Sequence, residues 1–392
     1  MSRPYNQILL EDIAIPEGIQ TGPFGSQLKA EEYVDVGIPV VMPKDILGGF
    51  LSSETVARIS ETKARKLKKH KIISGDIIFP RRGDLRRIGV ARDENNSWIC
   101  GSGCLRARMK NGVFPGYLHQ YLQLDSVGKW LERNALGQTM LNLNTEIISK
   151  MPITLPPLPE QKAIADLLST WDEAIEKTER LIQAKGKKFQ WLLRKLISEP
   201  QNTRNTRKKV RLGDLFGKEI NVEKGKALTK KSIIKGDIPV VAGGQTYAYF
   251  TNRPTHTMPT ITVSASGAYA GFVWYHDYPI WASDCNVLYS VEGATKFLYF
   301  TLKSIQHKIY ALQSGGAQPH VYSKDMKNLR VFWPLPEEQE QIAEALTTVQ
   351  HEIDLLKQLA DKYKAQKRGL MQKMLTGEWR IKPEIIDQHK EV

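Results

Sequence analysis

Cysteine is scarce in this sequence, and the few cysteines form no recognisable pattern. The 392 residues include three of them, Cys100, Cys104 and Cys285. An odd number without a C-x-x-C spacing indicates neither a disulfide framework nor a zinc site. Free thiols of this kind are typical of a reducing compartment, so we predict a cytoplasmic protein that binds no metal.

Long apolar segments are also missing. No apolar run approaches the roughly 18 residues that a membrane-spanning helix needs. The opening residues, MSRPYNQILLEDIA, lack the pattern of a secretory leader. Both absences predict a protein that is neither exported nor held in a membrane.

The motifs of several enzyme classes are absent as well. The sequence contains no phosphate-binding loop G-x-x-x-x-G-K-S/T, no nucleophile elbow G-x-S-x-G and no H-E-x-x-H motif. An adenine amino-methyltransferase carries Asp or Asn, two prolines and an aromatic residue, whereas Leu158 follows the pair Pro156-Pro157 here. No histidine pairs with an acid at metal-ligand spacing. We predict a non-catalytic chain that binds no cofactor itself; a nuclease site built from distant residues is an alternative.

Positive charge is what the sequence has in excess. Lysine and arginine number 56 against 42 acidic residues, which gives a net charge of +14. Such an excess favours a polyanionic partner, most simply nucleic acid, over a basic protein without a specific charged partner. A chain of 392 residues exceeds one ordinary hydrophobic core, so two to four domains are expected.

One long stretch occurs twice and organises the whole chain. Residues 156–197 are repeated 178 positions later as residues 334–375, so that Ile164 corresponds to Ile342. In each copy, apolar residues recur at alternating spacings of four and three over more than four heptads. A heptad pattern of this length predicts two coiled-coil helices.

We predict that the two helices pair in the antiparallel direction, because small side chains then meet at the middle and larger ones face the lysine stems. The alternative is two separate amphipathic helices, each packed on its own domain. The expected facing pairs are Leu196 with Ile342, Thr178 with Ala360, Phe189 with Val349, Lys185 with Ile353 and Lys367 with Trp171.

The repeat defines the expected domains and the fold class. We predict an α+β protein with a pseudo-two-fold internal repeat, in which two α/β globular domains are joined by two long helices that form an antiparallel coiled coil. Within the first domain, one helix is expected from Pro115 to Leu136. The expected ranges are a first domain (1–155), a first helix (156–199), a basic linker (200–209), a second domain (210–333), a second helix (334–377) and a C-terminal tail (378–392).

The candidate DNA contacts of the first domain fall in three places. Arginines flank the turn Gly83-Asp84, and arginine can read guanine through two hydrogen bonds. The lysine-rich run before this turn suits phosphate, or is a solvated helix face. Amides of the loop after Gly137 can read adenine, although asparagine is also common in turns. The candidates are Lys63, Arg65, Lys66, Lys68, Lys69, Arg81, Arg82, Arg86, Arg87, Gln138, Asn142 and Asn144.

The second domain carries a different polar set at corresponding places. A turn with serine and glycine takes the place of the arginine turn, and a second polar loop lies 178 residues after the first. Unlike side chains in one frame predict that the two domains read different sequences. The candidates are Lys226, Ser264, Ser266, Tyr269, Gln313, Gln318 and His320.

Four short motifs recur in one known family: T-G-P-F-G-S at 21–26, S-G-D-I-I at 74–78, L-P-P-L-P-E-Q at 155–161 and P-L-P-E-E-Q at 334–339. Through these motifs, and over nearly its full length, the chain resembles the specificity subunit of Type I restriction-modification systems. The duplicated P-L-P-x-E-Q helix is the most specific of these. The second domain lacks the first two motifs, so residue roles transfer poorly to it.

The resemblance implies a DNA-binding subunit without catalysis of its own. Each globular domain would be a target-recognition domain for one half of a bipartite, asymmetric DNA site, and the paired helices would set the spacer. The implied partners are double-stranded DNA, two modification (methyltransferase) subunits that use S-adenosylmethionine, and restriction subunits that use ATP and Mg²⁺. One alternative is a stand-alone DNA-binding protein with two modules. Another is a pure coiled-coil assembly scaffold.

Overall fold

The protein divides into two compact units that share its long helices. The computed structural model describes residues 5–137, 141–198, 208–228, 233–291 and 293–390. One unit comprises Met1–Lys177 with Ala360–Val392, and the other comprises Thr178–Leu359.

Three small sheets build the globular part of the first unit. The strands are β1 (Gln7–Leu9), β2 (Gln20–Thr21), β3 (Tyr33–Val34), β4 (Ile38–Val41), β5 (Ile46–Leu47), β6 (Phe50–Leu51), β7 (Ala57–Ile59), β8 (Ile77–Pro80), β9 (Gly89–Val90), β10 (Ile99–Cys100), β11 (Cys104–Ala107) and β12 (Pro152–Thr154). Their orders are β2-β11-β8-β9-β6-β5, β10-β4-β7-β3 and β1-β12. Sheets and helices are mixed, as the predicted fold class requires.

Helices cover the apolar faces of these sheets. They are α1 (Leu10–Ile13), α2 (Glu61–Lys66), α3 (Pro115–Leu122), α4 (Asp125–Asn134) and α5 (Thr145–Ser149). The single helix predicted from Pro115 to Leu136 is therefore wrong, because Leu124 adopts an extended conformation between α3 and α4. The break lets Leu124 enter the core, where it is 6% exposed.

The second unit repeats this plan with fewer strands. After the first long helix, α6 (Leu158–Leu193), come β13 (Lys208–Arg211), α7 (Leu212–Leu215), β14 (Ile220–Lys224), β15 (Ile238–Val241), β16 (Tyr249–Thr251), β17 (Thr260–Ser264), β18 (Val273–His276), β19 (Trp281–Ala282), β20 (Cys285–Ser290), α8 (Thr295–Ser304), α9 (Gln306–Tyr310), α10 (Ser323–Met326) and β21 (Arg330–Trp333). The second long helix, α11 (Pro336–Leu375), and the short α12 (Pro383–Asp387) complete the chain.

The two units share sheet pairings at corresponding places. An antiparallel pair leads into each long helix, β1 with β12 in one unit and β13 with β21 in the other. Each unit also has a parallel pair, β4 with β10 and β15 with β19. The common frame expected from the repeat is therefore present in both.

The long helices pack in the antiparallel direction in the first unit. Lys367 Nζ donates to Asp172 Oδ1 at 2.6 Å, and Arg380, beyond the end of α11, bonds to Glu160 near the start of α6. Partners thus run in opposite directions along the two segments. Lys367, predicted to face Trp171, forms its ion pair with the next residue along, because a partly buried ammonium group needs a charged partner.

The second unit shows the same kind of pairing. Lys185 Nζ donates to Glu352 Oε2 at 2.6 Å, one residue from the predicted neighbour Ile353. Phe189 and Val349, which were expected to face each other, lie in the same hydrophobic core. The heptad register is thus correct to within one residue at Lys185.

A repeated glutamine secures the start of each long helix. Gln161 Nε2 donates to Pro156 O at 2.8 Å, and Gln339 Nε2 donates to Pro334 O at 2.9 Å. Both side chains are almost fully buried. Buried amides need such partners, so the E-Q part of the repeated motif joins each helix to the chain just before it.

The predicted linker and the predicted C-terminal tail each contain regular structure. Lys208 and Lys209, assigned to the linker, belong to strand β13; residues 199–207 lie outside the described part of the chain. The segment after α11, expected to be a tail, contains α12 and buries Ile381 in the core of the first unit. The strand partner β21 and the apolar side chain explain why these residues are structured.

A buried histidine makes the stability of the second unit depend on pH. His276 is fully buried, and its Nε2 lies 2.9 Å from Thr262 Oγ1. Burial lowers the pKa of His276 from its ordinary 6.5 to about 4. Below pH 6.5 the unfolded chain therefore binds a proton that the folded chain does not, and stability falls as the pH drops towards 4.

We expect this histidine to lower the unfolding free energy by about 1.4 kcal/mol between neutral pH and pH 5.5. Denaturant titrations across this range would measure the change. The variant His276→Gln should lose this part of the pH dependence, whereas His351→Gln, at an exposed position in the same unit, should keep it. The same pH profile for His276→Gln and the unaltered chain would contradict the assignment.

Candidate nucleic-acid interface

An arginine turn and an asparagine loop meet in the first unit. Beyond strand β8, Arg82 and Asn142 form an antiparallel bridge, and Leu143 N donates to Arg81 O at 2.9 Å. The loop closes on itself, since Leu136 and Asn142 exchange backbone hydrogen bonds of 2.9 and 2.8 Å. Two candidate sites that are distant in the sequence therefore form one surface.

The arginines of this turn have different environments. Arg82 is exposed and makes no ion pair within the described part of the chain. Arg86, by contrast, bonds to Glu132 and Asp125, each at 2.6 Å. The hydrogen bond from Arg86 holds the pKa of Glu132 below its usual value. The guanidinium group of Arg86 thus joins the turn to α4, and its contact with DNA stays a prediction.

Arg81 and Arg87 are also less available than Arg82. Arg81 is half-buried, and its Nε has no hydrogen-bond partner among the described atoms. Arg87 lies 3.3 Å from Asp84 in an exposed pair, which solvent weakens. Arg82 is therefore the strongest candidate for base contact in this turn.

The three amide side chains of the asparagine loop also differ in how available they are for a DNA contact. Asn142 is half-buried, and its Oδ1 lacks a partner within the described structure. Asn144 Oδ1 accepts a hydrogen bond of 2.8 Å from Ile147 N and caps α5. Its oxygen therefore has a structural partner, in line with the alternative role in a turn. Gln138 lies outside the described residues.

The second unit repeats this arrangement with different side chains. Ser266 forms a bridge with His320, which exchanges backbone hydrogen bonds of 3.0 and 2.8 Å with Ser314. Val321 N donates to Ala265 O at 3.0 Å and fastens the loop to the turn after β17. The predicted correspondence of the two turns and the two loops is confirmed at the level of the backbone.

Glycines occupy matching positions in both surfaces. Gly83 and Gly267 follow the two bridging residues with φ of +83° and +86°, and Gly137 and Gly315 open the two loops with φ of +98° and +99°. This left-handed conformation is unfavourable for residues with a side chain. The same turn is thus built twice, and the neighbouring side chains can differ freely.

Two serines of the second turn are held inside the structure. Ser264 is 3% exposed, and its hydroxyl donates to Gly243 O at 2.9 Å. Ser266 donates to the carboxylate of Asp284. We therefore correct the prediction for Ser264, whose hydroxyl fixes the turn and is not accessible to DNA.

The remaining candidates of the second unit are exposed, except for the half-buried His320. Tyr269 is 47% exposed, and Gln318 is exposed with Nε2 3.5 Å from Ser266 Oγ. His320 stacks on the ring of Tyr322 at 5.9 Å. Gln313 Nε2 donates to Ala270 O at 2.7 Å, and Lys226 is exposed on a backbone fixed by two hydrogen bonds of 2.8 Å.

The lysine-rich run of the first unit forms α2 and the turn after it. Lys63 pairs with Glu32, and Arg65 lies 3.5 Å from Glu61, so these two are partly neutralised. Lys66, Lys68 and Lys69 are exposed. The last three are the members of the run with freely accessible ammonium groups.

Sequence reasoning missed the residues that hold this run in place. Arg106 is 5% exposed and donates to Lys69 O at 3.2 Å and Lys71 O at 2.9 Å. Arg108 forms a bidentate pair with Asp76, with two bonds of 2.8 Å. Arginines beside the apolar residues of β11 were the available signal, because a buried charge in a strand needs a specific partner.

Among the described residues, no three His, Cys, Asp or Glu side chains group where they could hold a metal ion. None of the described helices combines the length and apolarity needed to cross a bilayer.

Two turn-and-loop surfaces on a basic, duplicated frame define a class of DNA-recognition protein. The pattern of the Type I restriction modification DNA specificity domain matches residues 22–185 and again residues 205–364. These matches span most of the sequence. The chain belongs to this family and carries two copies of its domain.

Individual relatives agree with this membership. The type I restriction enzyme MjaVIII specificity subunit of Methanocaldococcus jannaschii is 20% identical over an alignment 413 positions long, which covers 95% of this chain and 96% of the relative. The crystal structure of the S subunit of a Type I restriction-modification system from M. genitalium superimposes with a TM-score of 0.66 at 18% identity, over 95% of this chain and 96% of that one. A second structure, from the type I R-M system, gives 0.59 at 17% identity over 97% and 99%. The fold is therefore shared over the full length.

Proposed function

We propose that this chain reads a bipartite, asymmetric DNA site, with one domain on each half. The observation that carries the proposal is the repeated surface in which a turn and a loop join through one backbone bridge, Arg82 to Asn142 and Ser266 to His320. Proteins that read DNA place a few side chains at base edges on a rigid frame. Here the frame is repeated and the side chains are not.

The side chains support different half-sites. In the first domain, Arg82 can donate two hydrogen bonds to guanine, and Asn142 can pair with adenine. In the second domain, Gln318, His320 and Tyr269 offer an amide, an imidazole and an exposed aromatic ring. The exposed lysines of the run after Ser60 are suited to hold the DNA backbone near the first surface.

The long helices and the partners complete the proposal. The paired helices set the distance between the half-sites, because a packed helix pair is stiff over its length. Modification subunits with S-adenosylmethionine, and restriction subunits with ATP and Mg²⁺, carry the chemistry, and this chain has no catalytic role. We place the complex in the cytoplasm, where its DNA is found.

A purified sample can test the absence of catalysis. We expect the chain alone to leave duplex DNA uncut in the presence of Mg²⁺, and unmethylated in the presence of S-adenosylmethionine. Addition of a modification subunit should restore methylation. Cleavage or methylation by the chain alone, at a rate that follows its concentration through purification, would refute the proposed role.

Removal of Arg82 should relax the sequence preference at one half-site. We expect Arg82→Ala to lower discrimination at one or two base positions by about 1–3 kcal/mol and to leave the other half-site unchanged. Binding selections with randomised half-sites, using the chain with its modification subunits, would measure this.

Lys66→Ala is the matched control, because Lys66 is exposed in the same unit. It should weaken binding to all sequences alike and reduce the salt dependence. An equal loss on every sequence for Arg82→Ala would make Arg82 a backbone contact instead.

A further inference from the structure

A basic cleft in the second unit is separate from the turn-and-loop surface. It encloses about 410 Å³ and is formed where the end of α6 meets β13, β21 and the α8–α9 region. We call it the basic cleft and define it by four cations from four parts of the chain, Arg194, Lys209, Lys308 and Arg330.

No described residue compensates the charges of the basic cleft. None of its described lining residues is acidic, and none of the four cations forms an ion pair with a described residue. His307 lines the same space. Like charges gathered in one concave site repel each other, and a bound anion would relieve that repulsion.

The shared frame does not require these cations. The strand pairing places Lys209 opposite Phe332 and Arg211 opposite Arg330, whereas the equivalent pairs of the first unit are Gln7 with Thr154 and Leu9 with Pro152. Neutral residues therefore satisfy the same strand pair. At Lys209 and Arg330, the positive charge is therefore particular to this unit.

The floor of the cleft carries a buried hydroxyl that has no partner. Thr301 lines the cleft and is 1% exposed, and its Oγ1 makes no hydrogen bond within the described structure. This atom lies below the cleft surface, so it is not a contact for a ligand. Apolar side chains line part of the cleft, among them Ile305 and Phe332. Convergent polar groups on an apolar floor are typical of small-ligand sites.

The short helix α9 lies between the cleft and the turn-and-loop surface of the second unit. Gln306 donates to Gly271 O at 2.7 Å and accepts from Val273 N at 3.0 Å, beside the turn after β17. His307 and Lys308 line the cleft instead. With about 100° between successive helical residues, these two side chains point away from the face that carries Gln306 and Ile309. DNA held by the turn would have to pass around α9 to enter the cleft.

We propose that the basic cleft is a phosphate-binding site, sized for a phosphorylated small molecule. Four permanent positive charges exceed what one carboxylate needs and match a di- or triphosphate group. Arginine and lysine together supply bidentate and single-point contacts to such oxygens. The apolar floor would accept the organic part of the ligand. This site goes beyond the proposed DNA reading and does not depend on it.

Calorimetric titration of the full chain with inorganic pyrophosphate, and then with ATP, tests the proposal. We expect both to bind at low salt, and the double variant Lys308→Glu/Arg330→Glu to bind each at least about tenfold more weakly. If the charge-reversed double variant does not fold, the milder double variant Lys308→Gln/Arg330→Gln takes its place. Lys218→Glu is the control, since it reverses one charge at an exposed position outside the cleft. Its affinity should be unchanged.

Competition with duplex DNA identifies the source of the phosphate. If DNA of any sequence displaces pyrophosphate from the unaltered chain, and the double variant loses DNA affinity with a smaller salt dependence, the site takes a backbone phosphate, and the assignment to a phosphorylated small molecule is overturned. If DNA does not compete, it takes a free phosphorylated molecule. No detectable binding of pyrophosphate or ATP, an equal loss in Lys218→Glu, or binding of an acidic peptide in their place would overturn the proposal.

Discussion

Deletion of one heptad from each long helix should shorten the preferred spacer between the half-sites by about three base pairs. Seven residues span about 10 Å of helix, and B-DNA rises about 3.4 Å per base pair. Suitable deletions are residues 173–179 and 359–365, which lie at matching positions of the antiparallel pairing. The heptad seam is kept, because the apolar period closes after seven residues.

Rotation makes this a demanding test. Loss of seven residues turns a straight helix by only about 20°, whereas three base pairs turn the duplex by about 100°. The shortened protein should therefore prefer the shorter spacer but bind it more weakly than the original binds its own. Selection from duplexes with randomised spacer lengths measures both effects.

Deletion of four residues from each helix is the matched control, because it breaks the heptad seam and should abolish specific binding. An unchanged spacer preference after the seven-residue deletions would disprove the helices' role in spacing.

Replacement of Arg380 by alanine should destabilise the first unit by about 2–3 kcal/mol. Arg380 donates to both oxygens of Glu160, each at 2.8 Å, and Tyr5 donates to the same carboxylate at 2.6 Å. Glu160 is 2% exposed, so loss of the arginine leaves a buried charge without its counterion. This value lies below the roughly 3–5 kcal/mol lost when a fully buried pair is broken, because Arg380 is partly exposed.

Thermal unfolding followed by fluorescence would measure the loss. Glu160→Gln in the Arg380→Ala background should recover part of the stability, since it removes the unpaired charge. Lys150→Ala breaks an exposed pair with Glu146 and should change stability by no more than about 0.5 kcal/mol. Equal effects of Arg380→Ala and Lys150→Ala would show that the buried pair contributes no more to stability than an exposed pair does.

The long helices were the most predictable part of the fold. A heptad pattern indicates which face of a helix is buried, and the repeat shows this pattern twice. The pairing was antiparallel as expected, with Lys185 beside Glu352, one residue from the expected neighbour. The break at Leu124 was not predicted, because nothing in the local sequence indicates that this one side chain turns into the core.

The candidate interface was predictable in composition but not in geometry. The sequence indicated that the arginine turn and the asparagine loop were polar, whereas their meeting depends on how distant strands pair. The same limit explains Arg86 and Ser264. Glu132 and Asp125, which hold Arg86, lie in a helix some forty residues away, and Ser264 is covered by a loop from another part of the domain.

The composition of the two units has a consequence for synthesis. The first unit combines Met1–Lys177 with Ala360–Val392, and Met371, Met374, Leu375 and Ile381 lie in its core. The second unit is made wholly of Thr178–Leu359. On the ribosome, the half that is translated first must therefore wait for residues 360–392 to emerge, and the half translated second can finish before it. A message truncated after the codon of Leu359 would yield a completed second unit joined to an open first one.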